Sequence, residues 1–232
     1  MPTSEPLLSN VLWSLATVGV YLAARALNQR WNRWWTSPLI LAPAILLAVA
    51  LWLHTSYQVY IRGTHWLMLL LGPATVAFAL PIYEQRALIR RHWPALLIGV
   101  AAGSSIAVGS AWALSSWLGL SEALRLSMVP RSISTPFAMA VSGDIGGMPS
   151  LTAVFVILTG IMGAAIGEGL LRCLPLRSSL ARGALFGMGA HAAGVAKAHQ
   201  IGGEEGSIAG LVLVMAGLLN VLLAPVLAVF LR

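Results

Sequence analysis

The stretch that decides the fold is residues 130–149, which read PRSISTPFAMAVSGDIGGMP. Its apolar part, Ser132–Val141, is shorter than the about 20 residues that a helix needs to cross about 30 Å of hydrocarbon. Pro130, Pro136 and Pro149 interrupt this part and its flanks, and proline breaks the hydrogen-bond ladder of a helix. We therefore expect a segment that enters a membrane and returns, surrounded by protein or by a water-filled cavity.

The composition of the whole chain makes a membrane its expected solvent. Of 232 residues, 58% are hydrophobic and only 9% are charged, whereas soluble proteins have about 25% charged residues. The mean hydropathy of +0.84 agrees. The net charge of +7 comes largely from arginines in the short gaps between apolar runs. That distribution is typical of cytoplasmic loops and not of a basic patch, so we expect no nucleic-acid partner.

Around this stretch, the sequence predicts an all-α integral membrane protein, a multi-span bundle of about seven spans plus the re-entrant or broken segment. The apolar runs are Val11–Ala24, Pro38–Leu53, Thr64–Tyr83, Trp93–Leu120, Ser132–Val141, Ile145–Gly167, Gly183–Ala196 and Gly206–Leu231. The arginine clusters all fall on the cytoplasmic side only if Glu122–Pro149 dips in and comes back.

The chain is expected to have two membrane halves, residues 1–120 and 121–232. The first contains a broken segment near 72–81, whose sequence is similar to residues 134–141 in the second. The spans that follow the two segments would run in opposite directions. Paired interrupted segments in inverted halves indicate the binding site of a transporter. A chance match between alanine-rich helices is the alternative.

Polar groups gather in and beside the apolar runs of the second half. A charge at mid-bilayer costs at least about 2.5 kcal/mol, so such groups pair with one another or line a polar path. Hydroxyls, together with exposed amides in the turn before Pro149, would suit an anion such as a small carboxylate. The candidate substrate contacts are Thr75, Ser132, Ser134, Thr135, Gly146 and Gly147.

The candidate coupling or gating groups are His191, Asp144, Lys197 and Glu205. His191 shares a helix face with Gly183, Gly187 and Gly194, which points it into the bundle. There it is either a hydrogen-bonded packing residue or a contact for a proton or the substrate. Lys197 is off that face, so the two would converge only if the helix broke near Gly194.

Two of the acidic residues have structural alternatives. Asp144 could simply lie at the membrane interface. Glu168, near the inner end of its span, is expected to pair with Arg172 one helical turn on.

Three short stretches of the second half together resemble motifs of the LrgB/CidB family, and the resemblance extends from about Leu70 to the C terminus. They are similar to its proline–serine/threonine signature, its glycine-glycine-proline turn and its histidine-glycine-lysine/arginine segment. The runs are Pro130–Ala140, Ile145–Pro149 and Gly189–Ala198 with Glu205 beyond it. The family often has serine and threonine where this chain has Ala190 and Val195, so no hydrogen-bonding role carries over to those positions.

The resemblance implies two functions. One is transport of small carboxylates of the glycolate, glycerate, pyruvate or lactate class by alternating access, with protons as the candidate coupling ion. The other is holin/antiholin-like control of murein hydrolase export and cell lysis, often alongside a small LrgA/CidA-type membrane protein. Transport is favoured because a holin has no use for an interrupted segment with a polar cluster.

An enzyme is not expected, since His191 has no nearby nucleophile or metal-spaced partner. Neither a cofactor nor a metal is expected. The expected location is the bacterial cytoplasmic (inner) membrane, where the chain would be a multi-pass homodimer.

Overall fold

A computed structural model describes residues 5–31, 36–77 and 79–231. These residues form helices and no β-strand, which confirms the all-α prediction. The helices are α1 (Glu5–Trp31), α2 (Pro38–Trp52), α3 (Tyr57–Leu69), α4 (Leu71–Ala77), α5 (Ala79–Glu84), α6 (Arg86–Trp117), α7 (Glu122–Met128), α8 (Thr135–Ile145), α9 (Pro149–Cys173), α10 (Ser179–Ile201) and α11 (Gly203–Phe230). They group into two compact units, Met1–Ala74 and Thr75–Arg232.

Four stretches of the described chain are long and apolar enough to cross a membrane: Leu8–Trp31, Arg86–Trp117, Pro149–Cys173 and Gly203–Phe230. The chain is therefore a multi-pass membrane protein. The apolar helix α2 has only 15 residues, and the expected run Thr64–Tyr83 is divided among α3, α4 and α5. The count of seven spans, the inverted repeat and the halves 1–120 and 121–232 stay predictions.

The first unit is held together where α1 meets α3. The rings of Trp13 and Tyr60 pack edge to face with centroids 5.4 Å apart. The Ser14 hydroxyl donates to the carbonyl of Gly63 and accepts from the Trp66 indole N–H at 3.0 Å. A Cβ at Gly63 would lie 2.9 Å from the Asn10 carbonyl oxygen, so glycine permits this close approach.

In the second unit, the non-helical residues 129–134 and helix α8 form a hairpin, and its tip lies next to the start of α8. The amide of Met148 donates to the Ser127 hydroxyl at 2.8 Å, and the Thr152 hydroxyl lies 2.9 Å from the Ser127 carbonyl oxygen. The chain after α8 therefore returns to the end of α7. The chain within Glu122–Pro149 thus doubles back as expected, and its entry into a membrane stays a prediction.

The helix α10 is also a hairpin, because it reverses at His191. The backbone there has φ 39° and ψ −123°, a region dominated by glycine. Phe186 comes before His191 and Ala198 comes after it, yet both belong to one buried cluster. In a straight helix they would be about 18 Å apart. Gly183–Ala196 therefore does not form one straight helix, because the run turns back at its centre.

The two hairpins approach the middle of α9 from opposite ends. The 25 residues of α9 make it about 37 Å long. The first hairpin has its base at the start of α9, and the second is anchored near its end by the ion pair of Lys197 with Glu168, 2.8 Å. Both tips reach the centre. The Arg131 guanidinium lies 3.4 Å from the Thr159 hydroxyl, and the His191 ring packs against the neighbouring Gly160.

Candidate functional site

The two hairpin tips meet at a buried polar junction, defined here as Arg131, Ser134 and His191. Ser134 is 4% exposed and His191 is 2% exposed. The backbone of Arg131 lies within hydrogen-bonding reach of the imidazole, and its guanidinium is near enough to interact with the ring electrostatically. The tips thus bring together residues sixty positions apart in the sequence.

Two buried atoms of the junction have no hydrogen-bond partner within the described part of the chain. They are the Ser134 hydroxyl oxygen and the His191 Nε2. An unsatisfied buried polar group costs about 1–3 kcal/mol, so such groups call for an explanation. Buried groups of this kind are what a site for a polar ligand provides before the ligand binds.

A helix N terminus adds positive potential to the same junction. Helix α8 starts at Thr135, and its N-cap residue Ser134 makes no side-chain capping bond. The second limb of α10 starts directly after His191. The first amides of a helix lack intrahelical acceptors, and the helix dipole favours negative charge there. The first limb of α10 ends at His191, so the negative end of its dipole offsets the second limb, and the N terminus of α8 is the part of the junction suited to an anion.

A small cleft opens beside the junction, between the first hairpin tip and helices α6, α10 and α11. Its free space is about 170 Å³, including its open mouth. The Asn220 amide nitrogen donates to the Ser104 hydroxyl at 3.0 Å and to the Ala216 carbonyl at 2.8 Å. The residues that line the cleft include Ser104, Val129, Pro130, Ser132, Met188 and Asn220.

The glycines of the predicted anion turn lie away from the junction. The Gly146 amide donates to Gly143 at 3.3 Å and the Gly147 amide to Ser142 at 2.7 Å. With Gly146 at φ 94°, these bonds form a left-handed C-terminal cap on α8. The exposed amides that the sequence suggested are therefore already used, and we leave both glycines out of the site.

Asp144 also lies away from the junction. It is exposed near the far end of α8, about 14 Å from Thr135 along the helix axis. The structure therefore does not bring it to His191. Thr75 lies in α4, and its side chain is outside the described part of the chain.

Lys197 and Glu205 belong to an ionic group at the base of the second hairpin. Glu168 binds Lys197 and also pairs with Arg172 at 3.3 Å, as predicted from their spacing. Glu205 lies 3.9 Å from Arg182 and is 9% exposed. It is in the first turn of α11, where the helix dipole favours a carboxylate. Helix α10 does break, as Lys197 would need in order to reach His191. The break turns the second limb back, however, so Lys197 lies at the base of the hairpin and not beside His191.

Comparison with known proteins agrees with the resemblance in the sequence. A profile of the LrgB-like family matches residues 17–230. The chain belongs to the LrgB-like family. Two similar proteins from Bacillus subtilis are named "uncharacterized": YwbG, 41% identical over 92% of this chain and 95% of its own length, and YxaC, 34% identical over 91% and 92%. The holin-like protein CidB of Staphylococcus epidermidis is 28% identical over 95% of this chain and 96% of its own length. No solved structure matches the chain significantly.

Sequence reasoning missed Ser104 and Asn220 in this LrgB-like protein. A signal was available for Asn220, since it is the only amide side chain in the apolar run Gly206–Leu231, and polar residues inside membrane helices are usually functional. Ser104 had none, because α6 contains several serines. Within the described residues, no group of three His, Cys, Asp or Glu side chains could hold a metal ion.

Proposed function

We propose that this LrgB-like protein transports small monocarboxylates across the membrane by alternating access. The observation that carries the proposal is the polar junction, where the Ser134 hydroxyl and the His191 Nε2 are buried without partners among the described residues. A carboxylate accepts hydrogen bonds and needs positive potential. The Ser134 hydroxyl and the Arg131 guanidinium supply donors, the His191 Nε2 would add one when it carries a proton, and the N terminus of α8 supplies positive potential.

The arrangement of the hairpins supports transport rather than simple binding. Transporters place substrate near mid-membrane between broken helices whose N termini point at the anionic group. The tips reach the centre of α9 from its two ends, so each hairpin separates the junction from one end only. Moving one hairpin would open the junction to one side. His191 is the candidate proton-coupling group because its Nε2 is buried at the junction without a partner among the described residues.

Glycolate, glycerate, pyruvate and lactate are the candidate substrates.

A second candidate is a holin-like role, and it has its own support. The relative CidB is named a holin-like protein, and that name favours this candidate more directly than it favours transport. The chain would then control murein hydrolase export, together with a small LrgA/CidA-type membrane protein. In this case the unpaired groups of the junction would have no small-molecule ligand.

Counterflow in proteoliposomes tests the transport proposal. The purified full-length protein should exchange radiolabelled glycolate, pyruvate or lactate. Hydrogen bonds to a charged group contribute about 1.5–3 kcal/mol, so Ser134→Ala combined with Thr135→Ala should slow exchange at least about tenfold. Ser116→Ala, an exposed serine on α6, should keep the wild-type rate.

Two results would contradict the proposal. Release of a trapped dye of unrelated structure, without acid exchange, would favour the holin-like role. Wild-type exchange by the double variant would remove the junction as the site.

We further propose that the protein works in the bacterial cytoplasmic membrane as a homodimer. Uptake without any partner protein would separate transport from a role that needs the LrgA/CidA-type protein.

A further inference from the structure

The cleft between α6, α11 and the first hairpin tip offers several oxygen atoms to a space with room for about one water molecule. We infer that this space binds a sodium ion. Its ligands would be the Asn220 carbonyl oxygen, the Ser104 hydroxyl and main-chain carbonyls of the tip. The inference goes beyond the proposed transport function and does not depend on it, because an ion can bind whether or not an acid is carried.

The hydrogen bonds of Asn220 determine which of its atoms faces the cleft. Its amide nitrogen donates to the Ala216 carbonyl oxygen at 2.8 Å and to the Ser104 hydroxyl at 3.0 Å. A main-chain carbonyl can only accept, so the nitrogen must lie on that side, and both of its hydrogens are used. Asn220 is only 4% exposed, and its carbonyl oxygen makes no hydrogen bond within the described residues. This oxygen is therefore an unused acceptor in a residue that lines the cleft.

The unwound tip contributes two further acceptors. Val129 and Pro130 line the cleft and are buried, and they lie between α7 and α8. Their carbonyls accept no backbone hydrogen bond in the described part of the chain. The Val129 amide is used by the Arg125 carbonyl at 3.2 Å, and proline has no amide hydrogen. Buried carbonyls need a partner, and a cation in the cleft would supply one.

This set of acceptors favours a small monovalent cation. The carbonyl oxygens of Asn220, Val129 and Pro130 outnumber the two hydrogens of one water molecule, whereas an ion can bind all of them together. The Ser104 hydroxyl keeps a lone pair for the ion beside the bond that it accepts from Asn220. Among the described residues that line the cleft there is no carboxylate, and calcium and magnesium sites use carboxylates. Neutral carbonyl oxygens are the ligands that replace the water shell of monovalent ions in membrane proteins.

The position of the cleft in the fold supports a cation site. Ser104 and Asn220 each lie within about 5 Å of the midpoint of a helix that is apolar enough to cross a membrane. Membrane proteins bind sodium near mid-membrane, where helices unwind and expose carbonyls. The charge of Arg131 is directed elsewhere, because its guanidinium lies 3.4 Å from the Thr159 hydroxyl on α9. Helix α9 contributes no residue to the described lining of the cleft.

Thermal unfolding of the purified full-length protein in detergent tests the site. Sodium chloride, potassium chloride and choline chloride would be compared at equal concentrations, without any carboxylic acid. An ion that binds the folded state alone raises Tm, and at about ten times its dissociation constant the rise is about 3–6 °C in a chain of this size. We expect a saturable rise of this order with sodium and a smaller one with potassium, the larger ion, or with choline.

Substitutions then locate the ion. Asn220→Leu and Ser104→Ala should lose the sodium-specific rise, whatever their own Tm in choline chloride. Ser110→Ala, exposed on the same helix as Ser104, is the matched control and should keep it. A purely structural role of the Asn220–Ser104 bond would lower Tm equally in all three salts and leave the difference between sodium and potassium unchanged.

The remaining results overturn the inference. Equal Tm values in sodium and potassium chloride would mean that the cleft holds no sodium ion. A sodium-specific rise that persists in either folded variant would place the ion elsewhere. If size-exclusion chromatography shows that Asn220→Leu is misfolded, Ser104→Ala decides. Because no acid takes part, failure of this test leaves the transport proposal standing, and failure of acid exchange leaves the sodium result standing.

Discussion

The reversal of α10 at His191 can be tested with a single methyl group. In a straight helix, Gly194 would lie about 12 Å from Phe186, and alanine at 194 would be harmless. In the hairpin, a Cβ at Gly194 overlaps the Phe186 carbonyl oxygen and lies 2.8 Å from the carbonyl carbon and 3.0 Å from the Ala190 Cβ. Carbon atoms prefer separations of about 3.5–4.0 Å, so the two limbs must move apart.

The expected cost follows from this overlap. Forcing a methyl group into a packed interface costs about 1–3 kcal/mol, which in a chain of this size corresponds to a Tm lower by about 2–12 °C. Gly189→Ala is the matched control, because a Cβ there meets no atom within 4 Å. Replacing glycine in a helix by alanine stabilises it by about 0.5–1 kcal/mol, so this variant should unfold at or above the wild-type temperature.

Thermal unfolding of purified Gly194→Ala and Gly189→Ala in the same detergent, followed by the loss of monodisperse protein, provides the measurement. Gly194→Ala should be the less stable variant by several degrees. Equal Tm values for Gly194→Ala and the wild type would refute the hairpin, and so would an equal loss in the Gly189→Ala control.

Two further predictions concern the bases of the hairpins. On a Cys173→Ser background, single cysteines at Glu122 and Met148 should react with an impermeant thiol reagent from the same side of the membrane, because the first hairpin returns to its starting end. Reaction from opposite sides would show that the segment crosses. For the second hairpin, Lys197→Glu should lower the free energy of unfolding by about 0.2–1 kcal/mol, since the pair is partly exposed. The double variant with Glu168→Lys should recover part of that loss, and no recovery would mean that the pair contributes nothing.

The sequence predicts much of the fold where the signal is local. Composition indicates a membrane protein, and the three prolines of residues 130–149 indicate a segment that cannot cross. By contrast, Gly183–Ala196 contains no proline, and its glycines suit a straight packed helix as well as a hairpin. The backbone of His191 adopts its unusual angles because α9 and α11 pack around both limbs of α10, and this constraint is not local.

The same distinction explains the site. Ser132, Ser134, Thr135 and His191 could be proposed from residue type and position alone, and three-dimensional packing brings Arg131, three residues before Ser134, to His191. The Asn220–Ser104 bond joins residues 116 positions apart, so no single segment contains it.

The glycine pair before Pro149 is the opposite case. Gly146 and Gly147 are compatible with an open anion-binding turn or with a closed helix cap. Whether the turn is open or the cap is closed depends on whether a ligand or the carbonyls of α8 accept the amide hydrogens.

The meeting of the two tips halfway along α9 has an electrical consequence. The junction lies about 18 Å from either end of α9, so a charge bound there would be about halfway through the voltage across a membrane that α9 spans. Moving one charge through the whole voltage corresponds to about 2.3 kcal/mol per 100 mV. An anion held between the tips would experience about half of this, so the resting voltage of the cell would itself bias on which side it is released.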